Sequence, residues 1–168
     1  MQLPPASITL RKAAPEDEGF MFAVYASTRA DELQLVDWTN EQKLGFVQMQ
    51  FNAQKVSYER EHPEATYQVI LADEIPAGRL IVDRSQDYIA IIDIAVLPDH
   101  RGRGIGASLL GSLQREAENT GKKVRLYVEN FNRASRLYER LGFVKVAEHG
   151  VYSRMEWTPG LAQLAQAV

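Results

Sequence analysis

The sequence predicts a mixed α/β fold: a mostly antiparallel sheet of roughly six to seven strands with about four helices on both faces. Three observations predict it. Segments with a two-residue apolar rhythm are interleaved with segments whose apolar residues recur at helical spacing. Short turn signals join the strands in the middle and near the end of the chain, as antiparallel hairpins require. One strand instead runs through a glycine-rich loop into a long helix before the next strand, which is the connection a parallel pair needs. With 168 residues, 45% of them hydrophobic, the chain has the length and apolar content of one domain, so residues 1–168 read as a single domain.

In chain order, residues 7–11 alternate as a first strand. Pro15, Glu16, Asp17 and Glu18 open a helix, with proline and acids in the first turn as the helix dipole favours, and it runs through Phe22 and Tyr25 toward Leu33. Thr39 and Gln42 form a capping-box pattern for a second helix, on which Leu44, Val47 and Phe51 share a face and which ends before Pro63. Residues 31–38 mix acids with apolar residues. They read either as a solvated connection with a buried Trp38 or as an acidic wall that would attract a cationic amine.

Residues 67–72 and 78–82 are strands about a turn of Asp73, Glu74, Ile75 and Pro76, and residues 84–87 turn into the central strand, 89–96. After the glycine loop, Ile105, Leu109, Leu110, Leu113 and Ala117 recur at helical spacing, with Gly121 placed as the C-cap. Val124, Leu126 and Val128 alternate with Arg125, Tyr127 and Glu129 as a half-buried strand. Asn132 caps a further helix whose Ala134, Leu137, Tyr138 and Leu141 share a face, and Gly142 ends it. Residues 144–147 and 151–157 form a last pair of strands about His149 and Gly150, followed by a short tail from residue 159 to 168.

Composition narrows the function. The net charge is -3, which disfavours a general nucleic-acid binder. An anion site must therefore be local, and His100, Arg101 and Arg103 supply a basic cluster. The chain has no cysteine, so disulfides, thiolate metal sites and a cysteine nucleophile are excluded, and no metal is expected. No apolar run approaches a membrane span and no signal-peptide pattern opens the chain, so a cytoplasmic protein without a membrane partner is expected.

The central strand leads through Leu97, Pro98, Asp99 and His100 into Arg101-Gly102-Arg103-Gly104-Ile105-Gly106, where the helix opens. Pro98 cannot donate to a ladder and stops the strand. Strand, glycine loop and helix together place unpaired backbone N–H groups at the positive end of a helix dipole, a holder for phosphate or pyrophosphate. Glycine lets the backbone approach an anion with no Cβ in the way. Read alone, the six residues are also compatible with an ordinary turn. Gly102-x-Gly104-x-x-Ala107 matches a dinucleotide fingerprint loosely, but no βαβ rhythm precedes it, and the Gly-Lys-Ser/Thr of a nucleotide P-loop is absent.

Arg101-x-x-Gly104-x-Gly106, preceded by Val96-x-Pro98, resembles the acyl-CoA loop of the GCN5-related N-acetyltransferase (GNAT) superfamily, whose motif is Arg/Gln-x-x-Gly-x-Gly/Ala. Asn132-Arg133-Ala134-Ser135-Arg136-Leu137-Tyr138-Glu139-Arg140-Leu141-Gly142-Phe143 resembles the N-x-A-x-x-L-Y-E-x-x-G-F segment of the same family, at the separation the family uses. The two motifs cover residues 88–144, and the N-terminal half matches only in its order of elements.

The resemblance implies a GNAT-like acyl-CoA N-acyltransferase fold that takes acetyl-CoA, or a related acyl-CoA, between the central strand and the strand at 124–128. Backbone N–H groups of Arg101, Gly102, Arg103, Gly104, Ile105, Gly106 and Ala107 would hold the pyrophosphate. The main chain at Ile94, Ala95 and Val96 would pair with the pantetheine arm as an added strand does. Asn132 would bond that arm, besides its role as a helix cap. The implied reaction is attack of a neutral primary amine, on a small molecule or a peptide, on a thioester. Without cysteine, transfer is direct in a ternary complex. The Val96 N–H is the implied oxyanion donor. Tyr138 stands where the family keeps its thiolate-protonating tyrosine, a residue that also borders the cofactor, and its alternative is packing beside Ala134 and Leu141.

The base departs from the family pattern. Ala90 and Ile92 occupy the positions where many members carry glutamate. Asp93 lies one residue off, on the face opposite Ile92 unless a β-bulge intervenes, and reads as either base or structural carboxylate. Glu129, His149 and Tyr152 are further candidates, as are a water chain or an amine already deprotonated in solution. The missing glutamate leaves room for a non-catalytic acyl-CoA-binding module. The resemblance also suggests a homodimer through the C-terminal strands.

Overall fold

In the computed structural model, which describes residues 5–160, seven strands and four α-helices are present among the described residues. Among the described residues, one compact unit comprises those up to Ile81 together with Ile94–Arg103; a second comprises Val82–Asp93 and those from Gly104 onward.

In the first unit, β1 (Ile8–Lys12) pairs antiparallel with β2 (Thr66–Ala72), with Ile8 opposite Ala72 and Lys12 opposite Gln68. Pro15–Asp17 forms a single 3₁₀ turn whose Asp17 carboxylate accepts from the Ala14 amide at 2.7 Å and from the Arg11 guanidinium at 2.7 and 3.0 Å. Helix α1 (Glu18–Gln34) follows. Helix α2 (Asn40–Glu61) starts at the predicted capping box, in which Thr39 Oγ1 accepts from Gln42 N and Gln42 Oε1 from Thr39 N. The core of this unit is Met21, Tyr25, Val47, Phe51 and Val69, with the Phe22 and Phe51 rings meeting edge-on at 5.4 Å.

Three expectations are corrected here. Asp31 to Gln34 belong to α1, so the connection between the helices is only residues 35–39. Trp38 is 42% exposed, because its partner Phe46 meets only one edge of the ring. Leu44 is 59% exposed: opposite it α1 presents Ala26 and Ala30, too small to close the groove between the helices.

Strand β3 (Ile75–Arg84) begins immediately after a two-residue turn, Asp73 and Glu74, and not after the predicted four. Both residues are left-handed, at φ 51° and 69°, the geometry that matches the twist of a tight hairpin, so Ile75 and Pro76 are already strand. Strand β4 (Tyr88–Val96) runs back beside β3: Ser85 N bonds Tyr88 O at one end and Leu97 N bonds Ala77 O at the other.

In the second unit, helix α3 (Ile105–Thr120) buries Ile105, Leu109, Leu110, Leu113 and Ala117 and ends at Gly121, left-handed at φ 70°. Strand β5 (Lys123–Glu129) pairs parallel with β4, and alternation buries Val124, Leu126 and Val128. Helix α4 (Ala134–Arg140) is followed by β6 (Val144–His149) and β7 (Tyr152–Trp157). They form an antiparallel pair, bulged between Lys145 and Ala147, and β7 also pairs antiparallel with β5. On β7, Glu156 is buried between Arg125 at 3.0 Å and Arg154 at 3.4 Å, and Arg125 also lies 3.7 Å over the Tyr88 ring.

The strand order is β1-β2-β3-β4-β5-β7-β6, the expected mixed sheet. Its single parallel join among the described residues, β4 to β5, rules against the doubly wound sheet of a dinucleotide-binding fold. Among the described residues, no helix is long and apolar enough to cross a membrane. Of the predicted tail, residues 161–168 lie outside the described residues.

Candidate active site

The parallel ladder between β4 and β5 is short. It registers Tyr88 to Lys123, Ile89 to Val124, Ala90 to Arg125 and Ile91 to Leu126, and goes no further along β4. Burial follows: Ile89 and Ile91 are buried between half-buried neighbours, but every residue from Ile92 to Val96 is half-buried. The predicted residues Ile94, Ala95 and Val96 thus stand on a strand end that has lost one neighbour.

That strand end is shaped from the other side by Gly78. A Cβ built on Gly78 would lie 2.2 Å from the Ala95 carbonyl oxygen and 3.0 Å from Val96 Cα, so no side chain fits. In a regular ladder Cβ atoms stand clear of the neighbouring carbonyl; the main chain at Ala95 is therefore distorted toward β3. The sequence pattern puts Gly78 at the start of its strand; because β3 begins at Ile75, the glycine lies inside it, where it marks a close approach.

Beyond Val96, Pro98–His100 makes a 3₁₀ turn, and Arg101 Nε folds back to donate to the Val96 carbonyl at 3.0 Å. Gly102 and Gly104 are both left-handed, at φ 75° and 76°, and a Cβ on either would enter open space. The need for glycine is thus backbone conformation in the protein itself, and the open side is free for a ligand. Arg103, between them, donates to Asp73 Oδ2 at 2.7 Å, with only 16% of its side chain exposed. This qualifies the expected basic cluster: Arg103 is paired with a carboxylate and Arg101 braces the strand end, so the candidate anion-binding capacity lies with the main chain.

Helix α3 supplies that capacity. Its N-cap, Gly104, has no side chain to cap the first turn, no acid stands in that turn, and the first helical bond runs from Ser108 N to Gly104 O. The amides of Ile105, Gly106 and Ala107 therefore have no acceptor within the helix. Ile105 anchors the turn, at 2% exposure. Gly106 packs at α4, where an added Cβ would stand 3.5 Å from Leu137 Cδ2, ordinary contact.

Asn132 caps α4 as expected: its Oδ1 accepts from Ala134 N at 2.8 Å, while its carbonyl accepts from Ser135 N and Oγ. Asn132 is exposed and its cap uses Oδ1 alone, so capping and a donor role for Nδ2 do not exclude each other. The short helix then buries Tyr138 to 8% exposure, with its ring 5.9 Å from Phe143. Burial, and secondarily the negative charge of Asp93, pushes the Tyr138 phenol up to about 12. Asp93, half-buried on β4, is thus close enough for its charge to act on Tyr138. Glu129, His149 and Tyr152 are exposed on the β5–β7–β6 strands, with Glu129 registered to Tyr152 and Tyr152 to His149.

Comparison with known proteins agrees with this geometry. A profile of the acetyltransferase (GNAT) family matches residues 13–143. Mycothiol acetyltransferase of Corynebacterium aurimucosum is 45% identical over 65 residues, 38% of this chain and 21% of that protein. The L-amino acid N-acyltransferase MnaT of Escherichia coli is 44% identical over 57 residues, 33% of each chain. The match thus spans a fifth to a third of these relatives.

Among solved structures, the PaiA N-acetyltransferase of Thermoplasma acidophilum in complex with coenzyme A superposes with a TM-score of 0.68 at 19% identity, covering 90% of this chain and 99% of that one. An acetyltransferase from Thermus thermophilus gives 0.66 at 16% identity, covering 93% and 99%. At such identities these structures speak for the fold. With the family profile covering most of the chain, and the sheet and glycine loop arranged as described, the protein belongs to the acetyltransferase (GNAT) family.

Proposed function

We propose that this chain is a single-domain N-acetyltransferase that transfers an acetyl group from acetyl-CoA directly to a primary amine. The observation that carries the reading is the pair of left-handed glycines, Gly102 and Gly104, opening on space and running into a helix whose first-turn amides lack side-chain caps. These residues fit a pyrophosphate. The main chain of Arg101 through Ala107 would hold it, the half-buried strand end at Ile94, Ala95 and Val96 would pair with the pantetheine arm, and Asn132 Nδ2 would bond the same arm.

Bound acetyl-CoA supplies an activated carbonyl carbon in a thioester. The Val96 N–H donates to the carbonyl oxygen as that oxygen gains charge. Tyr138 O–H donates to the sulfur. Burial keeps the phenol protonated, so Tyr138 is the candidate acid for the leaving thiolate as the C–S bond breaks, and the proton that the amine gives up to the base balances the one the thiolate gains. Asp93 keeps Tyr138 protonated by its charge and is the first candidate to take the amine proton; Glu129, His149 and Tyr152 are the others. The absence of cysteine supports direct transfer.

A second reading, a non-catalytic acyl-CoA-binding module, is favoured by Ala90 and Ile92 at the positions where many family members have glutamate. Release of thiol from acetyl-CoA across a panel of primary amines, together with calorimetry of coenzyme A binding, decides. Amine-dependent thiol release supports the enzyme. Binding without release for any amine supports the module, and absence of binding refutes both.

A further inference from the structure

We propose that Asp73, at the tip of the β2–β3 hairpin, is a positioning residue for the cofactor loop, holding the segment from Gly102 to Gly104 in its anion-accepting shape through Arg103. The proposal rests on the acyl-CoA reading above and adds to it a residue from outside both motifs.

The first observation is backbone strain. Asp73 and Glu74 are successive left-handed residues and neither is glycine. A tight hairpin turn of this kind ordinarily takes glycine at its second position, and a side chain there costs free energy. Such strain persists where the surroundings over-determine the conformation.

Here the surroundings do so around one carboxylate. Asp73 N donates to the Ser7 carbonyl at 2.8 Å, Asp73 Oδ1 accepts from Ser7 N at 2.9 Å, and Asp73 Oδ2 accepts from Arg103 Nη2 at 2.7 Å. The Ser7 amide, then Arg103, hold the carboxyl below the ordinary range, so it is charged at neutral pH. The turn therefore aims an anchored negative charge at the glycine loop.

The second observation is what the anchor grips. Arg103 is flanked by two left-handed glycines, the residues with the widest backbone freedom. Untied, the segment would sample many conformations and lose them on binding a ligand, weakening affinity. The ion pair joins residues 30 apart in sequence and leaves the arginine side chain 16% exposed against 50% for the aspartate, so the arginine is the partner held in place.

The rival role for Arg103, a phosphate ligand held in check by Asp73, makes the opposite prediction. Removing the carboxylate would then free the cation and tighten binding.

The test is Asp73→Asn. Asparagine tolerates the left-handed turn as well as aspartate does, and its Oδ1 still accepts from Ser7 N, so the hairpin persists while the charged acceptor for Arg103 is lost. Expected are a rise of up to about tenfold in the Kd of coenzyme A by calorimetry, a matching rise in KM for acetyl-CoA with kcat within about twofold, and lower backbone NMR order parameters at residues 102–104 of the ligand-free protein. Arg103→Gln should match it, and the double variant should bind no more weakly than the weaker single one. Glu74→Gly, which relieves the turn without touching the pair, should raise Tm and leave affinity as it was. Unchanged or tighter binding in Asp73→Asn, or unchanged order parameters at residues 102–104, overturns the proposal. If the wild type itself fails to bind coenzyme A, the acyl-CoA reading falls and takes the role of Asp73 with it; lower order parameters in Asp73→Asn would then show that the tether alone is real.

Discussion

Replacing Gly104 separates the conformational need for glycine from the ligand's need for space. In the free protein Gly104 sits at φ 76° with nothing within 4 Å of where a Cβ would be. Alanine there pays only for the left-handed conformation, about 1–2 kcal/mol, a fall in Tm of roughly 2–8 °C for a chain of this size. Valine costs more, because a β-branched side chain is poorly tolerated at positive φ, although its Cβ too has no atom within 4 Å. The effect on coenzyme A should be much larger. A branched side chain would occupy the space assigned to the pyrophosphate and displace it from the α3 amides. At about 1.5–3 kcal/mol for each charge-assisted hydrogen bond, losing two weakens binding by roughly 10²- to 10⁴-fold. Calorimetry with coenzyme A measures the affinity, while circular dichroism and thermal melting check the fold. If Gly104→Val is folded and binds coenzyme A as the wild type does, the main-chain cradle is refuted.

Tyr138→Phe should lower kcat about 10- to 100-fold with the Kd of coenzyme A within about twofold; equal turnover would reduce Tyr138 to packing. Because burial raises its pKa to about 12, Tyr138 favours the folded state in its neutral form. That stability is fully present below the unfolded value near 10 and is lost as pH rises from about 10 through 12. Thermal melts over that range should show a fall that Tyr138→Phe lacks. Gly78→Ala should destabilise the fold by about 1–3 kcal/mol or more and so lower Tm, since the new Cβ meets backbone at 2.2 Å and not a flexible side chain; an unchanged melt would remove the argument for a distorted strand at Ala95. Asp17, held at about 2 by Arg11 and then the Ala14 amide, stabilises the fold above the ordinary carboxylate range and loses that contribution as pH falls through 2. Asp17→Asn should flatten this acid limb of a melting profile.

By itself the sequence determined the features that depend on near neighbours in the chain. Pro98 stops a strand, Thr39 and Gln42 cap a helix, Gly121 ends one, and Val124, Leu126 and Val128 alternate into a core. The glycine loop and the Asn132–Phe143 segment were legible for the same reason: their spacing is the geometry, since backbone amides at a helix start need no partner from elsewhere.

Only the tertiary structure decided what depends on residues far apart. Charge alone placed Arg103 in an anion site, but the fold brings Asp73 to 2.7 Å and neutralises it. Gly78 reads in the sequence only as the start of a strand, whereas the fold sets the Ala95 carbonyl against it. Helical periodicity put Leu44 on an apolar face, yet the small residues opposite leave it exposed. The acidity of Tyr138 comes from burial and from Asp93 on another element, and local sequence encodes neither. Periodicity and caps are written into a few consecutive residues, whereas desolvation, close approach and ion pairing arise only when distant segments share the same space.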